Sequence, residues 1–535
     1  VIAKKGEGIK QKRVMKKIVL SGTAMLMSLA EAIAGGLNTN TNQSAEYLRN
    51  PARDGAIGID GVYSNPAGVA FLDSGLHVSF NIQSAQQQRN IISTFPAFAY
   101  GATNNKNITK KFEGEASAPL VPSLQAAYNW NGWSFQLNTA VTGGGGKCEF
   151  AKGLGSFESN VALLNAFGAK SGFLGNGYYA DMYMKGRQYY IGITLGAAKK
   201  VTDNLSVYLG ARALYGNASY KGHVKNIMFM DPNSGKLAKA GAIADTYSEM
   251  AEGYQAKLDQ LEAAGMGESD NAKQLIEGIA KLKTAEAASR KVGAVTDEDV
   301  ILDCDQYGWG VAPIIGLDYK INKWNFSTKY EFKTSMKLKN DAVNSKSAAN
   351  FSALQKFKDG EKVEEDLPAL FTVGLQYEVL DNLRLMGGFH LFFDKQANQY
   401  KDRQELLGGN TTEYLLGLEW DICKHLQFSI GGHRTHFCNT DEYISDMSYN
   451  VSNWDLGTGF GIPVNDRLKF NLSFYKSFYD DYTRSTNDYN NLSATAAALA
   501  GAETAKQLKE SGMLSGEDKF ERNNYAFGIG VNYRF

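Results

Sequence analysis

From Asn523 to Phe535 the chain alternates without a break. Tyr525, Phe527, Ile529, Val531, Tyr533 and Phe535 share one parity, and Asn524, Ala526, Gly528, Gly530, Asn532 and Arg534 share the other. A strand has a period of two, so this run presents one aromatic and aliphatic face and one small or polar face. The closing strand of an outer-membrane barrel has this pattern, with apolar residues toward lipid and polar ones toward the lumen. A soluble edge strand also alternates, but has no reason to gather four aromatics on one parity in thirteen residues.

Similar runs begin at Leu76, Leu120, Trp133, Tyr189, Leu205, Tyr307, Trp324, Phe371, Leu383, Tyr414, Leu426, Trp454 and Leu468. With the closing run they number about fourteen. Short connections fall near residues 131, 203, 322, 381, 424 and 465, and long ones near 84–118, 143–187, 220–305, 337–368, 395–412, 437–452 and 480–522. Outer-membrane barrels have short periplasmic turns and long external loops, and an even strand count returns both ends to the periplasm. A soluble sandwich has no cause to sort loop length by parity. The expected fold is all-β: a transmembrane antiparallel barrel of about 14 strands over residues 74–535. Trp130, Trp133, Trp324, Trp420 and Trp454 fall near strand ends, where an indole suits the membrane interface. Within the insert 220–305, Tyr254, Leu258, Leu261, Ile276, Ile279 and Leu282 recur at helical spacing, which predicts one or two external amphipathic helices. Phe157–Phe167 and Asn491–Gly512 read as shorter helices.

Composition agrees with this reading. Mean hydropathy is −0.32 despite 28 Tyr and 28 Phe, because a barrel carries its apolar residues at alternate positions. Past the N-terminus there is no apolar run of the roughly 20 residues a membrane helix needs. Lys plus Arg equals Asp plus Glu at 56 each, so the basic excess of a nucleic-acid binder is absent. Cys148, Cys304, Cys423 and Cys438 are far apart and form no CxxC pair, so neither a metal nor any other cofactor is expected. A Cys148–Cys304 disulfide between outer loops and four free thiols both stay open. Ser429 and His433 are the nearest approach to a hydrolytic pair, and no spacing ties them to a third residue, so no enzyme is expected.

The N-terminus reads as an address. Met15-Lys16-Lys17, the apolar stretch Ile18–Leu29 and Ala32-Ile33-Ala34 are the three parts of a secretory signal peptide. Residues 1–34 are therefore an upstream extension and signal, with cleavage after Ala34. Export followed by a barrel places the protein in the outer membrane of a Gram-negative cell.

Residues 35–73 lie between the cleavage site and the first strand. They are too patterned for a linker, with glycines between short apolar pieces from Asp54 to Phe71, and read as a compact plug for a lumen of this width. Ser64-Asn65-Pro66-Ala67-Gly68, after an Asp-Gly-Val run and ahead of strand one, resembles the hatch motif of the FadL/TodX family of outer-membrane transporters for long-chain fatty acids and other hydrophobic compounds. The resemblance also takes in the glycine-rich start and Gln43-Ser44. It is specific over residues 35–82 and architectural elsewhere, and the long insert 220–305 departs from it. It implies a hatch at 35–73, with Asn65, Pro66, Ala67 and Gly68 tied to transport. It further implies passive uptake of a hydrophobic ligand such as a fatty acid, with lateral release into the outer-membrane lipid through a gap at a kinked third strand.

Gly143, Gly144, Gly145 and Gly146 follow the third strand. Glycines there weaken pairing and mark a bend, or else the start of a loop. Parity turns Tyr208, Leu214, Ile314, Met386, Phe392 and Leu415 inward, where they could line an acyl-chain pocket. Arg212, Arg384 and Lys329 are also inward, and are expected to pair with Glu331, Glu419 or Asp421. The remaining expected partner is the barrel-assembly machinery, through the closing strand. Nucleic acid is not expected, and the chain is expected to act as a monomer. A plugged porin, or an adhesin acting through its large external loops, is the alternative.

Overall fold

The computed structural model describes residues 37–345 and 352–535. The signal sequence and its cleavage site lie outside the described residues.

Fourteen staves close into an antiparallel barrel. They are β1 (Gly75–Thr94), β2 (Thr109–Trp130), β3 (Trp133–Phe150), β4 (Tyr178–Lys200), β5 (Leu205–Met230), β6 (Val300–Ile321), β7 (Trp324–Glu331), β8 (Leu370–Leu380), β9 (Leu383–Phe392), β10 (Thr411–Cys423), β11 (Leu426–His436), β12 (Asn453–Pro463), β13 (Leu468–Tyr479) and β14 (Gly516–Arg534). β14 pairs with β1 from His77↔Arg534 to Thr94↔Glu517, so the sheet has no free edge there. Short added strands continue the wall upward: Lys337–Ala342 pairs with β6, and Tyr482–Thr486 pairs with β14. Among the described residues no helix is long and apolar enough to cross a membrane.

The outward face is an apolar belt. Phe135, Leu195, Leu209, Val311, Leu416, Leu472, Phe527 and Ile529 are all exposed. Their inward neighbours, such as Ser134, Thr194, Asn471 and Gln136, are buried and polar. Only a hydrocarbon surround makes that polarity favourable. Trp130, Trp133, Trp324 and Trp420 edge the belt at the short-turn end, and Trp309 and Trp454 at the other. Twelve residues separate Trp309 from Ile321 on β6. That is about 40 Å of strand, which a tilt of about 40° shortens to about 30 Å, close to bilayer thickness.

The strands run well past the lipid. β1 has 20 residues and β5 has 26, where about ten span a bilayer. The first expected loop, 84–118, is therefore mostly strand, and the long insert is shorter than its predicted 220–305 because β5 reaches Met230 and β6 starts at Val300. Above the lipid both faces carry polar groups, as in Gln86-Gln87-Gln88-Arg89-Asn90, so alternation fades while pairing continues. The upper wall encloses a second core in which Phe95, Phe98, Phe112, Phe157, Phe229, Ile243, Tyr489 and Phe520 are buried. Helix α1 (Ala45–Arg49) belongs to the N-terminal segment, and α2 (Gly155–Lys170) packs on the upper core. The insert folds as two helices, α3 (Ala240–Ala263) and α4 (Asp270–Thr296), joined through Leu258, Ala272 and Ile279. Ile276, placed on that seam by spacing, is half exposed. The 491–512 segment forms α5 (Leu492–Ala500) and α6 (Ala502–Glu510).

Of the two readings left open for the cysteines, the structure has the unbridged one: none of the four is in a disulfide. Cys148 sits on β3 and Cys304 on β6, with β4 and β5 between them, so three strand spacings of nearly 5 Å each exceed the reach of a disulfide.

Candidate functional site

The residues from Thr39 to Ala70 are almost entirely buried, and their partners are inward side chains around the whole wall. Ser44 caps α1 by accepting the Tyr47 N–H at 3.1 Å. On one side, Asn42 and Gln83 of β1 exchange two amide bonds at 2.8 and 2.9 Å. Ser123 of β2 and Asn138 of β3 donate to the Gln43 carbonyl and side chain. On the far side, Arg49 reaches Gln427 of β11 at 2.7 Å, and Asn471 of β13 and Asn532 of β14 both donate to Glu46.

Charge is compensated in place. Arg53 binds Asp60 at 2.7 Å and Glu419 of β10 at 2.9 Å, and Glu419 is also 3.3 Å from Arg49. Asp54 meets Nε2 of His390 on β9 at 2.9 Å, and Nδ1 of the same ring meets Glu413 at 2.7 Å. A buried charge is tolerated only when paired and hydrogen-bonded, so these contacts fix the segment's register against the wall.

The Asn65-Pro66-Ala67-Gly68 turn is bonded to the wall at each of its first three residues. Asn65 Nδ2 donates to Asp318 Oδ2 of β6 at 2.5 Å and to the Ala56 carbonyl at 3.2 Å. Its Oδ1 accepts the Gly68 N–H at 3.1 Å. Gln136 of β3 donates to the Pro66 carbonyl at 2.7 Å, and Ser206 of β5 to the Ala67 carbonyl at 2.5 Å. A Cβ on Gly68 would stand 2.4 Å from Asn65 Nδ2, which explains the glycine.

Around Gly143–Gly146 the wall is broken. β2 and β3 pair at Glu115↔Glu149 and next at Leu124↔Thr139, with no register between. The intervening β2 stretch holds Pro119 and Pro122, which have no N–H to donate. On the other side β3 shifts register against β4 at Gly143 and again before Gly146. The N-terminal segment takes the vacant place. Asn40 N donates to the Thr142 carbonyl at 2.9 Å, Gly144 N donates to the Asn38 carbonyl at 3.1 Å, and Asn40 Nδ2 reaches the Val141 carbonyl at 3.0 Å. A Cβ at Gly143 would lie 2.1 Å from the Asn38 oxygen.

A cavity of about 530 Å³ lies over this point, lined by Leu37, Asn38, Cys148 and Gln188, by Tyr220, Phe357, Tyr443, Ile444 and Tyr449, and by charged residues including Arg403, Glu442, Asp446 and Arg484. A second, of about 350 Å³, lies at the short-turn end, with Arg49, Arg53, Arg384, Glu419 and Lys469 on its wall.

The six inward apolar residues are all buried, but they border neither cavity. Tyr208 and Ile314 pack on Ala67 and Ala70, and Met386 and Leu415 pack on Ala52 and Ala56. Leu214 packs with Tyr190, Met336 and Leu338, and Phe392 stands edge-on to His390. The inward charges pair as parity indicated: Arg212 with Glu331 at 2.6 Å, Lys329 with Glu331 at 2.7 Å, and Arg384 with Asp421 at 2.8 Å. Ser429 and His433 are engaged elsewhere, Ser429 with Arg49 and Glu419 and His433 with Asp455 at 2.9 Å. Sequence reasoning passed over His390, Asp318, Asn38 and the two prolines. Of these only Pro119 and Pro122 carried a signal, since proline inside a strand argues against continuous pairing.

No family model and no curated protein sequence matches the chain. Solved structures do. A Pseudomonas aeruginosa FadL homologue superposes with a TM-score of 0.57 at 13% identity, over 94% of this chain and 100% of that one. The Pseudomonas putida toluene transporter TodX gives 0.50 at 12% identity, over 89% and 94%. At such identities the likeness is one of fold, and the chain has the fold of these barrels.

Proposed function

We infer that the protein is a passive outer-membrane importer of hydrophobic small molecules, such as long-chain fatty acids, and that it releases them sideways into the membrane. The N-terminal segment, residues 35–73, acts as the hatch that stops the bore. The gap between β2 and β3 is the exit. One observation carries this reading: where the wall lacks β2–β3 bonds, its place is held by Asn38–Asn40, directly under the upper cavity. A solute passing there leaves a cavity whose wall holds Tyr220, Phe357, Tyr443 and Tyr449 among charged side chains, and enters lipid without crossing the second cavity at the short-turn end. Transfer into lipid is favoured by about 0.8 kcal/mol per methylene, so no energy source is required. The fold likeness to a FadL homologue and to a toluene transporter supports the same class of cargo. In this reading Asn65–Gly68 hold the hatch to β3, β5 and β6, and Gly143–Gly146 with Pro119 and Pro122 keep the exit unzipped. The closing strand is the contact for barrel assembly, and one chain suffices.

The test is conductance and uptake together. Intact protein in planar bilayers should be nearly silent to ions, and deletion of residues 35–73 should open a large steady conductance. Cells carrying the intact protein as sole transporter should accumulate a fluorescent long-chain fatty acid. High conductance from the intact protein would reject the hatch, and no gain in uptake would reject the cargo.

A further inference from the structure

On the outer wall beside the gap, a row of cations stands just above the aromatic belt. Tyr189 of β4 lies level with Tyr307 of β6, and Tyr215 packs against Trp309 at a tilt of 45°, with ring centroids 4.7 Å apart. These rings mark the upper membrane interface. Two residues higher, Arg187 of β4 is directly opposite Lys147 of β3. Lys185 follows one step above, opposite Glu149.

The charges do not balance. Lys147 and Lys185 share Glu149, each at 3.4 Å. Arg187 lies over the Tyr189 ring at 5.3 Å and donates to Asn217 at 3.1 Å, and its Nε, though buried, has no hydrogen-bond partner among the described residues. Of the neighbouring carboxylates, Asp303 is held by Lys221 at 3.2 Å and Asp181 by His223 at 3.5 Å. Asp305 stands in the Arg187 row, two strands away and so about 10 Å distant. Glu115 of β2, opposite Glu149 and exposed on the same face, is a second carboxylate, so three cations face two at the depth where outer-leaflet headgroups lie.

We propose that Lys147, Lys185 and Arg187 form a binding site for the phosphate of an outer-leaflet lipid, seated on the outer lip of the β2–β3 gap. Arg187 supplies the planar fork that suits phosphate oxygens, and the two lysines supply point charges from either side. A lipid headgroup is favoured over a soluble anion because the site lies directly above rings already in the interface, so acyl chains fall against the apolar belt. The bound lipid would be the first molecule that departing cargo meets. The proposal needs the membrane barrel and not the transport reading, and it stands if uptake is disproved.

The experiment uses full-length protein in detergent, equilibrated with a bisphosphorylated lipid A-type glycolipid, with native mass spectrometry as the readout. The wild type should retain the glycolipid, and its dephosphorylated form should be retained about tenfold less. The triple variant K147Q/K185Q/R187Q should lose retention of the phosphorylated form by a similar factor, while heat-shifted migration on gels reports an intact barrel. A control variant, K257Q/K273Q/K281Q, removes the same charge from exposed positions on α3 and α4 and should bind as the wild type does. Equal retention of both glycolipids, or equal loss in the two variants, would overturn the site.

Discussion

Gly144 gives its backbone N–H to the carbonyl of Asn38 at 3.1 Å, at a point where β3 has no bond to β2. The N-terminal segment is thus a piece of the wall as well as an occupant of the bore. That joint should be the first part of the barrel to respond to substitution.

Gly143→Val places a side chain 2.1 Å from the Asn38 oxygen and should expel residues 38–40 from β3. Two backbone bonds are lost, together about 1–3 kcal/mol. Amide exchange of a peptide covering Asn40, and of one covering Gly144, should speed by about tenfold or more. Unchanged protection in both would show that the joint is not a bonded strand.

Asn65 and Asp318 should act as one unit. Asp318 accepts from both Asn65 and Asn325, so removing its carboxylate leaves two buried donors unmatched. Asp318→Ala should cost about 2–4 kcal/mol in unfolding free energy, and Asn65→Ala about 1–3. The double variant should cost less than their sum by at least about 1 kcal/mol. Additive losses would mean that the contact does not tie the Asn65–Gly68 turn to β6.

His390 joins the N-terminal segment to the wall through Asp54 and Glu413. His390→Ala strands two buried carboxylates, a change of about 3–5 kcal/mol. Because one of them belongs to the N-terminal segment, which the proposed function makes the stopper of the bore, the variant should show ion conductance in planar bilayers that the parent lacks. A silent variant with parental stability would remove His390 from the latch.

Among the external loops, Asp446 offers a pH test. It is buried, and accepts the Ser156 N–H at 2.7 Å. Burial, with Asp518 nearby, pushes its carboxyl up to about 6. The folded state therefore holds a proton more tightly than the unfolded chain, whose aspartate titrates near about 4. Between those values stability falls as pH rises, by about 3 kcal/mol at most. Asp446→Asn keeps an acceptor oxygen and removes the charge. Its outer loops should resist proteolysis better than the parent's at pH 8 and no better at pH 4. A variant weaker than the parent at pH 8 would contradict this.

How much the sequence discloses depends on what each residue faces. Lipid forces alternation, so the fourteen staves, the short turns and the inward Arg212 and Arg384 follow from parity alone. Above the lipid, residues such as Gln86 to Asn90 meet polar surroundings on both faces, and the strands there leave no hydropathic trace. Parity also states that Tyr208 and Met386 point inward but not what they meet, which is the N-terminal segment. The contacts of that segment join residues hundreds apart, as in Asp54 with His390, and no local pattern encodes them. The two prolines of β2 were legible, and mark the gap as well as the four glycines opposite do.

The central claim is that cargo leaves through the side of the barrel. A diazirine-bearing fatty acid, photolysed in outer membranes during uptake and mapped by peptide mass spectrometry, tests it directly. The account predicts labels on residues 116–124 of β2 and 140–148 of β3, reduced by competing unlabelled fatty acid. Competable labels confined to the short-turn cavity around Arg49 and Lys469, with none at the gap, would contradict it.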